Sequence, residues 1–390
     1  MLLFATWVAY PLLLFCFRRA QNVEADGPRF RVTVLVTAHD AAKEIGRRVR
    51  NLAEQTYPPE LLRIYVASDG SEDATVHTAL NATPNAAWGR LTTKQFPRAG
   101  KSTTQNGAIA EISDEIIVLT DADTDFEADC IEQLVASFSD AKVGCVTGNV
   151  ISKDMSRPLS KDQGLYWRFE NRLRQSESDA GILITASGPC MAFRRELFRP
   201  LTPSRGDDCM IPLDVALQGH SIVHAPLAIA YDSFPSTLRG ELRARARMTT
   251  RNLAGFFDRS VLLNPLRYPG YALSLWLHKI FRWMTPFFAV AFCLSSILRP
   301  RWFLLLPQLL FLMLAIVGGV FALAGRMAPR IAAFAFSFVV ANVGFAWGVV
   351  QCFAGKEITS YTNIREGGDP TLRSPKPGSF PQPNADRGRQ

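Results

Sequence analysis

The chain has 390 residues, 48% of them hydrophobic, with 26 Phe and a formal net charge of +8. That length supports one large domain with an apolar remainder for a membrane, and the charge is explained by lipid head groups without invoking nucleic acid. The seven cysteines form no Cys-x-x-Cys pair, and Cys16, Cys293 and Cys352 lie in apolar runs, which excludes a zinc cluster or a disulfide framework.

Residues 1–17 carry no charged side chain, and Arg18-Arg19 follow. A cleaved leader has its positive charge before the apolar run, so this order predicts an uncleaved transmembrane anchor whose carboxyl end is cytoplasmic. Residues 30–267 have globular composition. A β-rich run over 31–37 and a helical pattern over 41–55, with Ile45, Val49 and Leu52 on one face, form the first β-α unit. Its turn, residues 38–42, has no glycine, which removes the dinucleotide-binding Gly-x-Gly-x-x-Gly reading. The second strand, 62–67, ends in Ser68-Asp69-Gly70-Ser71. Asp69 there is either an Asp-Gly turn or an acceptor for a base or ribose. A basic loop, Phe96-Pro97-Arg98-Ala99-Gly100-Lys101-Ser102, then opens a helix. Lys101 meets a phosphate or stays solvated, and the glycine spacing of a Walker loop is missing.

The run Ile116-Ile117-Val118-Leu119-Thr120 reads as a buried strand, and Asp121-Ala122-Asp123-Thr124-Asp125 follows at its tip. In open α/β sheets ligands bind beyond the carboxyl ends of the strands. Asp121 and Asp123, two apart, can turn toward one hard cation and its diphosphate; the plainer reading is a polar turn capping the next helix. A helix over 130–138, a strand over 143–150 and a helix over 165–175 lead to a glycine-containing turn at Ser187-Gly188-Pro189-Cys190. Gly206-Asp207-Asp208 opens a further helix, which the two acids either cap or use. Arg239, Arg243, Arg247 and Arg251 recur every fourth residue and make a stripe suited to a diphosphate, a lipid phosphate or head groups. Arg247 is assigned to the active site and the others to the surface.

Residues 268–282 read as an interfacial segment, with Tyr268, Tyr271, Trp276 and Trp283 as an aromatic belt and Lys279 and Arg282 reaching head groups. No spacing gives His278 a partner. Apolar runs over 283–298, 302–324 and 331–354 predict C-terminal transmembrane helices within 283–354. Three spans after a cytoplasmic domain put the tail outside. The Pro-, Gly-, Asn- and Arg-rich residues 367–390 are expected to be disordered.

In order, V-T-V-L-V-T-A-H-D, S-D-G-S-E-D, R-A-G-K, D-A-D-T-D, A-S-G-P-C-M-A-F-R-R and G-D-D resemble the membrane-embedded family 2 glycosyltransferases, which include cellulose, chitin and hyaluronan synthases. The resemblance implies an α/β fold of the GT-A, Rossmann-like type, flanked by transmembrane helices in the plasma (inner) membrane with the catalytic domain cytoplasmic. It implies that Asp69 contacts the donor nucleoside, that Lys101 lies near the donor, and that Asp121 and Asp123 hold Mg2+ or Mn2+ on the diphosphate. Asp208 matches the family's catalytic base, with Asp207 replacing the more usual Glu before it. The implied reaction is inverting transfer from a nucleotide-sugar, expected to be a UDP-sugar, to a lipid-linked or glycan acceptor. Two departures stand out: Gln-x-x-Arg-Trp of the processive members is absent around Arg247-Met248-Thr249, and His39-Asp40 stands where the family often has Tyr-Asn. The first favours one or a few additions over a processive synthase. A non-catalytic assembly module is the alternative of another class.

Overall fold

The computed structural model describes residues 1–16, 29–82, 90–153, 158–233, 235, 237–298 and 301–358. The tail expected to be disordered, 367–390, lies outside them. Strands β1 (Val32–Ala38), β2 (Leu62–Asp69), β3 (Leu91–Phe96), β4 (Ile116–Asp121), β5 (Asp125–Phe126), β6 (Val143–Ser152), β7 (Met191–Arg194) and β8 (Ser221–Asp232) form one eight-stranded sheet. Its order is β3-β2-β1-β4-β7-β6-β8-β5. The β3-β2-β1-β4 half is parallel, β7 pairs antiparallel with both β4 and β6, and β6 pairs parallel with β8.

Alternation along β4 explains why both faces of the sheet are covered. Ile117 and Leu119 join one buried cluster with Leu35, and Ile116 and Val118 join the other with Val34. In chain order the helices are α1 (Leu2–Phe15), α2 (Ala42–Ala53), α3 (Thr75–Leu80), α4 (Lys101–Glu111), α5 (Cys130–Ala136), α6 (Pro158–Asp179), α7 (Asp207–Leu217), α8 (Leu238–Asp258), α9 (Pro269–Trp283), α10 (Thr285–Leu298), α11 (Trp302–Leu323) and α12 (Arg330–Phe353). Helix α2 buries Ile45, Val49 and Leu52 against Val34, Val36, Ile116 and Val118, as its spacing predicts.

Among the described residues two helices, α11 and α12, are long and apolar enough to cross a membrane. The run expected as a first span gives only α10, 14 residues long, or about 21 Å against the roughly 30 Å of a bilayer core. It passes the same test of length and hydropathy only together with α9, and the two are bent by 61°. The interfacial reading of α9 needs correction as well. Lys279 and Arg282 are buried on Glu170 and do not reach outward, and Trp283 is buried in a stack with Phe256, ring centroids 5.4 Å apart. His278, for which the sequence offers no spacing of a metal ligand, lies between Glu170 and Glu177.

Helix α12 packs against α8 at two glycines. Gly344 faces Arg245, Gly348 faces Ala246 and Thr249, and Thr250 Oγ1 donates to the Gly348 carbonyl at 3.0 Å. Phe353 meets Phe257, and the charge of Glu357 acts on Arg205. The end of α12 therefore lies beside the catalytic domain. A Cβ at Gly348 would stand 2.6 Å from the Ala246 carbonyl. Gly348→Val is expected to lower stability by about 1–3 kcal/mol, the usual cost of overpacking, read as a lower unfolding midpoint in detergent micelles.

Candidate active site

The carboxyl ends of β1, β2 and β4 and the start of α7 converge on one set of charged side chains. Asp69, at the end of β2, is buried, and its carboxylate accepts from the Ala99 and Gly100 amides at 2.8 and 3.0 Å and from Thr104 Oγ1 at 3.1 Å. It thus fixes the basic loop and the first turn of α4. Gly70 is pressed on Arg98, with φ +59 and a would-be Cβ 2.8 Å from the Arg98 backbone nitrogen, so a side chain there is excluded twice over.

Lys101 is the centre of the arrangement. Its Nζ donates to Asp121 Oδ1 at 2.7 Å and stands 3.1 Å from Asp207 Oδ2, linking the tip of β4 to the start of α7. Burial disfavours the ammonium, but Asp121 and Asp207 outweigh it and raise the Lys101 pKa. Asp207 also accepts from Gln105 Nε2 at 3.0 Å. Burial would push its carboxyl up; Lys101, Gln105 and Arg251 overcome that and hold it well below the usual carboxylate range. Asp208 goes the other way: burial first, then the charge of Asp207, push its carboxyl up, against the opposing pull of Asn252 and Arg251. Two neighbouring acids are thereby driven apart, one held ionised and one made more basic, which is the pattern of an acid-base site.

The D-A-D-T-D turn is gripped from below by α2. Arg48, fully buried, donates to Thr120 Oγ1 at 2.7 Å and lies over the Phe126 ring at 4.1 Å. Burial brings its pKa down to about 9. Asn51, one turn on, pairs with both the amide and the carbonyl of Phe126, each at 2.8 Å. Asp125 is held by Arg47 and Lys153, and Lys153 also donates to the Asp123 carbonyl. Asp121, the first acid of the turn, is held by Lys101. Asp232, at the end of β8, is close enough that burial and the charges of Asp123 and Asp121 push it up to about 7.

Among the described residues no group of three or more His, Cys, Asp or Glu side chains forms a metal cage. A pair of carboxylates at a strand tip still fits Mg2+ or Mn2+, which take one or two carboxylates and fill the remaining positions with phosphate oxygens and water.

Sequence reasoning missed Gln105, Asn252 and Asp232, for which no motif speaks, and assigned Arg251 of the arginine stripe to the surface. Asn252 Nδ2 donates to Asp208 Oδ2 at 3.2 Å. Arg251 donates to the Arg205 carbonyl, and its charge reaches Asp207 and Asp208. Arg247, the arginine expected here, is half-buried one helical turn earlier. Arg245, on the same helix, pairs with Glu241 at 2.5 Å and covers Phe345.

A half-parallel mixed sheet with helices on both faces, an acid pair at a strand tip and a lysine bridging to a second acid pair is the architecture of the GT-A type. Residues 28–250 match the family described as glycosyltransferase like family 2, and the chain belongs to that family. It is 27% identical over 268 residues to an N-acetylglucosaminyltransferase of Rhizobium meliloti (strain 1021), a match covering 61% of this chain and 62% of that protein. It is 26% identical over 254 residues to the poly-β-1,6-N-acetyl-D-glucosamine synthase of Staphylococcus aureus (strain COL), covering 62% of this chain and 60% of the synthase. The matches thus span less than two thirds of either relative. Among solved structures, a mannosyltransferase from Pyrobaculum calidifontis in complex with GDP-Man and Mn2+ superposes with a TM-score of 0.67 at 24% identity, covering 91% of this chain and 98% of that one. That likeness establishes the GT-A fold.

Proposed function

We propose that this glycosyltransferase moves N-acetylglucosamine from its uridine diphosphate to a membrane-associated acceptor, a lipid-linked glycan or glycolipid, with inversion at the sugar. The observation that carries the reading is the reach of Lys101, 2.7 Å from Asp121 and 3.1 Å from Asp207. One ammonium spans the donor-side and acceptor-side acids, so a diphosphate and an attacking hydroxyl meet within a few ångströms. The sugar is taken from the names of the two relatives above, and the uridine nucleotide from the resemblance of the motifs.

In this reading the loop fixed by Asp69 offers Lys101 to the diphosphate, and Asp121 and Asp123 hold Mg2+ or Mn2+. Once bound, the cation offsets charge on the departing nucleoside diphosphate. Asp208 takes the proton of the acceptor hydroxyl, and burial and the charge of Asp207 make it the more basic of the two acids. Asp207 stays ionised on Lys101 and Gln105. Arg247 and Arg251, one turn apart, offer guanidinium charge to the diphosphate side. The domain would sit on the cytoplasmic face of the plasma membrane, with α11 and α12 crossing as a hairpin and the chain returning beside Arg205.

Addition of one or a few sugars is favoured over polymer synthesis. Trp283, a candidate stacking platform for a growing chain, is buried on Phe256, and Trp276 is tied to the Leu263 carbonyl at 3.0 Å. The polymer reading draws on the name of the staphylococcal relative. Native membranes given a panel of nucleotide-sugars are expected to release nucleoside diphosphate from UDP-N-acetylglucosamine above the others. Sizing of radiolabelled product is expected to give short adducts. Release from another donor alone would overturn the sugar assignment, and a high-molecular-weight product before acceptor exhaustion would establish a synthase.

A further inference from the structure

A buried ionic cluster outside the chemistry joins α6 to the membrane-proximal helices. His278 sets its two ring nitrogens 2.8 Å from Glu177 and 3.2 Å from Glu170. Glu170 also receives Arg282 at 2.6 Å and Lys279 at 3.3 Å, both from α9. Glu177 accepts from Tyr10 of the N-terminal helix at 2.5 Å and from Ser274 of α9 at 2.7 Å. Charges this deep persist only when paired, so α1, α6 and α9 are held together as a unit.

One member of the cluster faces elsewhere. Arg174, one turn along α6 from Glu170 and 3.4 Å from it, donates to Ser187 Oγ at 2.5 Å. Ser187 is itself fixed by the bond from its amide to Thr147 Oγ1 at 2.9 Å, and Gly188 follows it. A Cβ on Gly188 would lie 3.7 Å from Asp208 Cβ and 3.8 Å from Asp207 Oδ1, so the turn at 187–190 forms the wall against both acids. The Ala186 amide adds a bond to the Asp208 carbonyl at 3.0 Å.

We propose that Arg174 is a positioning residue that ties the turn at 187–190, the wall beside Asp208, to the ionic cluster holding α1 and α9, so that docking of the membrane-proximal helices sets the acceptor side of the site. The proposal rests on Asp208 as the acceptor-side base. Arg174 touches neither acid, and acts by fixing where an acceptor hydroxyl can lie.

The test uses the full chain in detergent micelles and hydrogen-deuterium exchange of two segments, 182–191 and 98–104. Arg174→Gln, Glu170→Gln and Ser187→Ala are each expected to speed exchange in 182–191 by about tenfold, the loss of one charge-assisted bond, and to leave 98–104 unchanged. Arg174→Lys should restore part of the protection. With UDP-N-acetylglucosamine, transfer falls in the variants while UDP release to water and the donor KM hold steady. The exchange arm does not depend on the sugar or the reaction, so it separates failure of this proposal from failure of the assigned activity. Loosening confined to α6 and α9 in Glu170→Gln, or wild-type exchange of 182–191 in Ser187→Ala, would overturn it. Ser187→Ala leaves the cluster whole and decides the matter if Glu170→Gln does not fold.

Discussion

Replacing Asp208 by Asn is expected to lower turnover about a thousandfold, the usual contribution of a positioned general base, while donor affinity stays near that of the parent. The amide keeps the volume and can still meet Asn252, but it cannot take a proton. The same assignment fixes the sign of the pH dependence. Asp208 has its carboxyl raised by burial and by Asp207, so it must lose its proton before it works. The rate therefore climbs as pH passes through that raised value and falls below it. Asp207 stays ionised throughout the working range because Lys101, Gln105 and Arg251 hold it down. Lys101→Met removes the largest of those holds and should move the acid limb, which a pH-rate profile of the variant would register. A wild-type rate in purified Asp208→Asn would remove this residue from the mechanism.

The second large effect is expected at the strand tip. Asp121→Ala or Asp123→Ala should weaken donor binding and cut turnover by about a hundredfold or more, because a diphosphate is left with uncompensated charge. Excess chelator should stop the wild-type reaction, and Mg2+ or Mn2+ should restore it. Lys101 complicates the comparison in a useful way. It holds Asp121 Oδ1 at 2.7 Å, so Asp121→Ala also leaves the lysine to Asp207 alone, whereas Asp123→Ala leaves that pair in place. Direct titration with Mn2+ separates the two: both variants should lose affinity for the cation, and only Asp121→Ala should disturb Lys101. Full activity in chelator would rule out the assignment of the pair.

Much of this was legible in the sequence because it is local. The unbroken apolar run of β4, the single apolar face of α2 and the acids beginning where a strand ends each follow from periodicity or order. What escaped depends on which elements meet. Glu170 lies more than a hundred positions before Lys279 and Arg282, and nothing in either segment says that they pair, so the two cations read as head-group ligands. The arginine stripe shows the same limit. Arg247 and Arg251 lie nearly on one helix face, and choosing between them requires knowing where α8 passes α7. Asn252 and Gln105 carry no signature, since amides are chosen by the partner they must reach.

The contact between α8 and α12 has a practical consequence. Leu253 and Phe256 of α8, Leu275 and Trp283 of α9 and Phe345 of α12 belong to the same buried cluster as Leu35, Ile117 and Leu119 of the sheet. A fragment cut at residue 267 would expose that surface to water, and trimming the hydrophobic end to gain solubility would remove one wall of the catalytic core. Purification, labelling and inhibitor screening therefore call for the intact polypeptide in lipid or detergent.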